Sequence, residues 1–301
     1  MLQEKRIKQI EYVVENSKYV KLNKEKLEKW ADEIKGSTFS EHQWSQYKSV
    51  FTEKEIILLA FFIESMNFCF WKEPIFKYKD KKKSTAMMDL FIDAAIENRQ
   101  LLNPEYVCNL KYEDLISIFK IEEGNLKKRY DSLIYSAKRI NDNKVFFEEL
   151  FNIKSTDKLY SFITAFENFN DVSTYKGEDV YFYKRATLLV HDLFDLSETI
   201  HNNINNIDSV LGCADYIIPK GLRLEGILEY NDELARKIDN YEEIPQNSEY
   251  EVEIRAYTLY VIEYVKNKNN KSVNSAVWDN LIWNYFRGKG GIAHRTDTIF
   301  Y

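Results

Sequence analysis

Apolar residues at helical spacing, almost never interrupted by a chain breaker, constrain this chain more than any other feature of its sequence. Only nine glycines and four prolines fall among 301 residues. "QEKRIKQIEYVVEN" sets Ile7, Ile10, Val13 and Val14 on one face, the 3.6-residue period of an amphipathic helix. "NKEKLEKWADEIKG" opens on a capping Asn23, repeats Leu27, Trp30 and Ile34, and stops at Gly36. "TEKEIILLAFFIESM" pairs Thr52 with Glu55 at capping-box spacing, where each side chain satisfies a free backbone donor. Its middle is apolar on nearly every side, which predicts a buried helix. Further helices are predicted near 84–100, 112–121, 125–141, 143–152, 155–169, 181–195, 231–239, 248–266 and 273–287. Strand signals are thin, and "TDTIFY" at 296–301 is the best of them. No linker, repeat or low-complexity tract divides the chain. The expectation is a mostly α fold, a single compact helical domain over 1–301, with a possible division into lobes at about 1–170 and 171–301.

Charge and cysteine content narrow the function classes. Acidic residues outnumber basic ones, 48 to 42, whereas a protein that neutralises many phosphates usually carries a basic surplus or stripe. The one compact basic run, "KYKDKKK" at 77–83, reads as a solvated loop. No direct nucleic-acid partner is expected. Three cysteines (Cys69, Cys108, Cys213) and four scattered histidines make neither a disulfide framework nor a metal set. The start "MLQEKRIKQIEY" is charged and amphipathic, unlike a secretory leader. No apolar run approaches the roughly 20 residues of a membrane span. A cytoplasmic location is therefore expected, with no membrane partner.

Polar residues that interrupt apolar helices are the candidates for chemistry. Lys184 and Arg185 interrupt "EDVYFYKRATLLVHDLF" together, about 100° apart on the helix. Either the two side chains snorkel outward or pair, or they line a polar cavity suited to an anion. Arg255 lies one turn after Glu251 in "SEYEVEIRAYTLYVIEYVK". It either closes a polar edge or is an arginine held by Glu251 or Glu253 to bind a ligand. Asp279 and Trp283 share a face in "VWDNLIWNYF". They are a surface carboxylate beside a core ring, or a grip for a flat polar base. His294 and Arg295 precede an apolar end that would carry them inward. Asp215 sits among small and apolar residues in "VLGCADYIIPKGL", where an unpaired charge is costly.

Six stretches, in order, resemble one family: "MNFCFW" (66–71), "VYFYKRATLLVHDL" (180–193), "ADYIIP" (214–219), "EVEIRAYTLYVIE" (251–263), "VWDNLIW" (277–283) and "HRTDTIFY" (294–301). The chain is similar to the queuosine salvage proteins, queuosine 5′-phosphate N-glycosylases/hydrolases, over roughly residues 40–301. The resemblance implies hydrolysis of the N-glycosidic bond of queuosine 5′-phosphate or queuosine. Queuine, a 7-deazaguanine base, would be released for salvage into tRNA. It implies a helical fold similar to helix-hairpin-helix DNA glycosylases, and no metal or organic cofactor. On that basis Asp215 is the catalytic carboxylate, against the positive charge that develops on ribose. Asp279 and His42 contact the base. Lys184 takes the 5′-phosphate, with Arg185, His294 and Arg295 as helpers. Phe68, Trp71 and Trp283 stack on the base or shape the pocket. Cys213 stands where relatives commonly have Phe, which removes one stacking wall. Ile217 follows Tyr216 where larger relatives have Arg. Thr187 replaces a frequent Gln, and Ala293 and Asp297 replace a usual His and Arg. These departures bear on the substrate. The alternative functions are a queuine- or nucleotide-binding protein without turnover, and a glycosylase for a related deazapurine nucleoside.

Overall fold

The computed structural model describes residues 1–34 and 45–301. Among them are fifteen α-helices and three two-stranded antiparallel ribbons. The helix Glu53–Met66 starts as its sequence dictates. Thr52 Oγ1 accepts the Glu55 N–H at 3.3 Å, and the Glu55 carboxylate accepts the Thr52 N–H at 2.8 Å. A cap of this kind contributes about 1 kcal/mol. Every residue from Ile56 to Met66 is buried, because helices Leu126–Asp142 and Lys184–Leu196 cover it on two sides. Phe61 and Phe62 are fully enclosed, and truncating either to Ala would cost about 3–5 kcal/mol.

Two apolar cores form. The first is built from residues between Phe51 and Val210. The second joins Ile10 to Ile34 with residues between Tyr175 and Phe286. Its axis is the 21-residue helix Glu249–Asn269, against which Leu2–Glu15, Lys24–Ile34 and Ser275–Arg287 pack. Glu253 is fully buried in that helix and accepts the N–H groups of Lys18, Tyr19 and Val20 at 2.7–3.0 Å, and the Tyr175 hydroxyl at 2.8 Å. It therefore ties the N-terminal segment to the C-terminal half, in a buried position kept tolerable by hydrogen bonds. Helix Ile217–Leu224 crosses Ser275–Arg287 closely. A Cβ on Gly221 would lie 2.1 Å from the Phe286 ring, so only glycine allows this approach.

Three local expectations change. Residues 296–301 form no strand: Thr296, Thr298 and Tyr301 are buried in an irregular tail. The tail meets carbonyl and side-chain partners instead of a sheet edge; Cys69 N–H donates to Tyr301 O at 2.8 Å and the Trp71 indole to Thr296 O at 3.3 Å. The helix expected over 181–195 begins at Lys184, because Glu178–Tyr181 pairs with Val172–Tyr175 as a ribbon, as β-prone aromatic and branched residues favour. The short helix Ile217–Leu224 was not anticipated. No helix among the described residues is long and apolar enough to cross a membrane.

Candidate active site

Asp215 stands two residues before the first residue of helix Ile217–Leu224, whose N-cap is Tyr216. Its Oδ1 accepts the N–H groups of Ile217 at 2.8 Å and Ile218 at 3.3 Å, capping that helix with a side chain. Its Oδ2 accepts the Trp283 indole N–H at 2.8 Å. Burial raises the carboxyl above the usual aspartate range, while Lys184, the two backbone N–H groups and Trp283 oppose that rise. Asp215 is thus a buried carboxyl whose charged form is favoured by three fixed N–H donors against the cost of burial.

Asp279 comes from helix Ser275–Arg287. It is 8% exposed, and its Oδ1 is buried with no hydrogen-bond partner among the described residues. Burial first, and then the charge of Asp215, push its carboxyl well above the usual range. Cys213 and Lys184 pull it back in part. Two carboxyls in one site are pushed apart in this way, so that one ionises while the other holds its proton. Gly212 makes room for the pair: a Cβ there would lie 2.9 Å from Ile262 Cδ1 and 3.2 Å from Asp279 Cβ. The Cys213 thiol donates to the Lys184 carbonyl at 3.6 Å, and burial holds it well above the ordinary thiol range, so it stays neutral.

Lys184 is the first residue of helix Lys184–Leu196 and is 8% exposed. Among the described residues its ammonium has no ion-pair partner within 4 Å. Its charge acts on Glu64, Cys213, Asp215 and Asp279. The preceding residue, Tyr183, has φ +50°, a left-handed conformation that costs a non-glycine residue roughly 1–2 kcal/mol. Arg6 donates to the carbonyls of Tyr181 at 2.9 Å and Phe182 at 2.6 Å, bracing this turn from the N-terminal helix.

Asp215, Asp279, Lys184, Cys213 and Trp283 are therefore brought together. The remaining sequence candidates are placed otherwise. Arg185 neither snorkels nor lines this centre. It is fully buried and donates to the carbonyls of Glu64, Ser65 and Asn168. Burial lowers it to about 9. Phe68 is fully buried between the guanidinium groups of Arg185 and Arg129, each 5.0 Å from its ring centre. Trp71 is half-buried; besides its bond to the C-terminal tail, Arg295 lies 5.6 Å over its ring. Arg295 also stacks on Tyr241 at 4.5 Å. His294 is buried, its Nε2 3.3 Å from the Tyr301 hydroxyl; burial, and then Arg255, lower it to about 3, so it is neutral. Asp297 pairs with Lys72 at 2.5 Å and Lys128 at 2.7 Å. Arg255 lies behind the centre, gripping Asp171 and reaching the Ala214 carbonyl at 3.3 Å. The Glu251 partner expected for Arg255 is present at 3.4 Å, while Glu253 serves the 18–20 backbone. His42 lies outside the described residues.

Two neighbours were missed. Asp171 carries no periodic signal, since it lies in the loop before a short strand. Glu64 did carry one: it is a lone carboxyl near the end of an otherwise apolar helix. Burial, and then the charge of Asp192, raise it to about 8, and it accepts the Asn67 amide at 3.0 Å. A hollow of about 650 Å³ lies elsewhere, lined by Asn103, Tyr106, Asp114 and Ser117 among others. No group of three or more His, Cys, Asp or Glu side chains arranged to hold a metal occurs among the described residues.

The likeness to known proteins covers most of the chain. Residues 45–301 match the model of the family described as queuosine salvage protein. A queuosine 5′-phosphate N-glycosylase/hydrolase of Dictyostelium discoideum is 28% identical over 95% of this chain and 95% of its own length. A protein of the same name from Sphaerobacter thermophilus is 30% identical, covering 87% of this chain and 84% of its own. One from Mus musculus is 25% identical over 96% of both.

Proposed function

We propose, for a chain that belongs to the queuosine salvage protein family, a division of labour among Asp215, Asp279 and Lys184 in hydrolysing the N-glycosidic bond of queuosine 5′-phosphate. The relatives carry that activity in their names, and the product is queuine, available for salvage into tRNA. The observation that carries the residue roles is the pair of carboxyls in unlike environments beside one buried ammonium. Breaking the bond from C1′ to the base leaves the electron pair on the base and positive charge on the ribose. In a 7-deazapurine, carbon occupies ring position 7, so the base cannot be activated by protonation there. Asp279, held protonated, supplies a proton to another position of the departing base. Asp215, held ionised by its three N–H donors, stabilises the ribosyl cation. Water adds to C1′, and its proton returns the carboxyl pair to its starting state.

Lys184 serves twice. Its charge favours the ionised form of Asp215, and its head, without an ion-pair partner among the described residues, meets the 5′-phosphate. Trp283 orients Asp215 and flanks the base, and His42 is retained as a base contact. Arg185, Arg255, His294 and Phe68 act as supports behind the centre, and Trp71 and Arg295 order the tail beside it. The helical scaffold is read as akin to helix-hairpin-helix DNA glycosylases, supported by the scarcity of sheet. One domain is the reading of the organisation, since residues 10–34 complete the core of the C-terminal half. A cytoplasmic location and small-molecule partners fit the free cysteines and the acidic balance.

Incubation with queuosine 5′-phosphate and with queuosine, followed by chromatography of the free base, tests the reading. Wild-type protein releases queuine. Asp215→Asn lowers kcat by about 10³-fold or more; undiminished release by this variant would remove Asp215 from its role. Tight queuine binding with no release by the wild type would replace hydrolysis with the binding-protein reading.

A further inference from the structure

Behind the centre, one buried ion pair touches both chain segments that carry it. Asp171 is 2% exposed and Arg255 1%. Arg255 Nη1 donates to Asp171 Oδ1 at 3.0 Å and Nη2 to Oδ2 at 2.5 Å, a two-pronged contact. The guanidinium is packed between the rings of Phe182 at 4.1 Å and Tyr301 at 4.2 Å, so its plane has little freedom. On one side, Arg255 Nε donates to the carbonyl of Ala214, the residue before Asp215. On the other, Asp171 receives three consecutive backbone donors. Its carbonyl accepts the N–H groups of Phe182 and Tyr183 at 3.1 Å, and its Oδ2 accepts the N–H of Lys184 at 3.1 Å. Those three residues form the turn in which Tyr183 takes its left-handed conformation. A non-glycine residue persists in such a conformation only where its surroundings over-determine it.

We propose that Asp171 is a positioning residue for the hydrolysis. Paired with Arg255, it holds the 182–184 turn that directs Lys184 toward Asp215, and through the Ala214 carbonyl the same pair sets the chain that carries Asp215. Asp171 itself touches no reacting atom. The proposal rests on the reading of Asp215 and Lys184 as working groups. It predicts that the effect of Lys184 on the reaction depends on Asp171, although the two side chains make no direct bond.

A double-mutant cycle of Asp171→Asn and Lys184→Met tests it, read as queuine release from queuosine 5′-phosphate. Asp171→Asn lowers kcat by about 10–100-fold, as a small misplacement of a working group does, with KM changed less than about threefold. Removing Lys184 then costs at least about tenfold less in the Asp171→Asn background than in the wild type. Additive losses would overturn the proposal, because a support for general stability has no reason to couple to Lys184. Lys266→Met, which removes the separate buried contact of Lys266 with Glu263 at 3.9 Å, lowers Tm without changing kcat and controls for instability. Should Asp171→Asn fail to fold, the same cycle is run with Arg255→Lys, which keeps the charge and loses the two-pronged grip.

A second measurement stands apart from turnover, so that a failure of the hydrolase reading is told from a failure of this one. The Asp215 carboxyl is titrated by ¹³C NMR in wild type and Asp171→Asn. Asp215 is faced by Lys184, Asp279, Cys213, Tyr216, Lys220 and Trp283. Loss of a negative charge at position 171 would by itself move the midpoint down. Displacement of Lys184 moves it up. An upward shift supports the proposal, and an unchanged or downward midpoint overturns it.

Discussion

Asp171 and Asp279 are both buried aspartates beside Lys184, yet they are satisfied in opposite ways. Both oxygens of Asp171 meet Arg255, and one also takes the Lys184 N–H. Asp279 keeps one oxygen buried without a partner among the described residues, near a second carboxyl. A buried polar group with all its bonds made fixes a structure, while one left short can still bond something that arrives later. Burial does not distinguish the two, since both residues are less than a tenth exposed; the hydrogen bonds do.

Exchanging one polar group on each side breaks the comparison most directly. Asp279→Asn, which keeps size and removes the proton donor, lowers kcat by about 10²–10⁴-fold in the queuine-release assay and leaves Tm unchanged or higher. Arg255→Met removes one partner of a buried pair and lowers unfolding free energy by about 3–5 kcal/mol in denaturant titrations. A large loss of stability in Asp279→Asn would erase the distinction. A smaller effect sharpens the role of Lys184. Lys184→Ala reduces kcat/KM on the nucleotide by about tenfold more than on the nucleoside, the size of one charged hydrogen bond. Equal losses on the two substrates would take the phosphate away from Lys184.

The smallest effect concerns Glu64, whose folded pKa of about 8 lies above its ordinary value near 4.5. Between those values the folded chain binds more protons than the unfolded chain, so this carboxyl makes stability fall as pH rises through that window. Glu64→Gln removes the fall. Its Tm relative to wild type therefore rises between about pH 5 and pH 8, and a constant difference would show that Glu64 titrates normally.

Much of this was legible in sequence where a single helix decides the outcome. Thr52 and Glu55 announce their cap, and the apolar run after them becomes a buried helix. Glu251 and Arg255 meet at one turn's spacing. Asp215, Lys184 and Asp279 could be singled out, the first and second as polar interruptions and the third by its face. What the sequence did not disclose is which polar group turns toward which. Lys184 and Arg185 are adjacent and equally unusual, but one faces carboxyls and the other binds backbone carbonyls. Only the turn at Tyr183 decides between them, and its bonds come from Asp171 and Arg6, distant in sequence and silent in periodicity. Likewise Phe68 fits a stacking role by type, and only the two arginines beside it show that its faces are already covered.

The crossing of the N-terminal helix onto the C-terminal half has a consequence for synthesis. Residues of the first core leave the ribosome as one stretch, from Phe51 to Val210, and can collapse on emergence, as units of a growing chain do. Leu2–Glu15 meets Glu178–Tyr181 partway through synthesis, through Arg6 among others, but its main partner Glu249–Asn269 appears only later. Asp279 follows later still. A nascent chain thus holds its first core well before it has the carboxyl pair, and part of the apolar face of Leu2–Glu15 stays uncovered until Glu249–Asn269 is made.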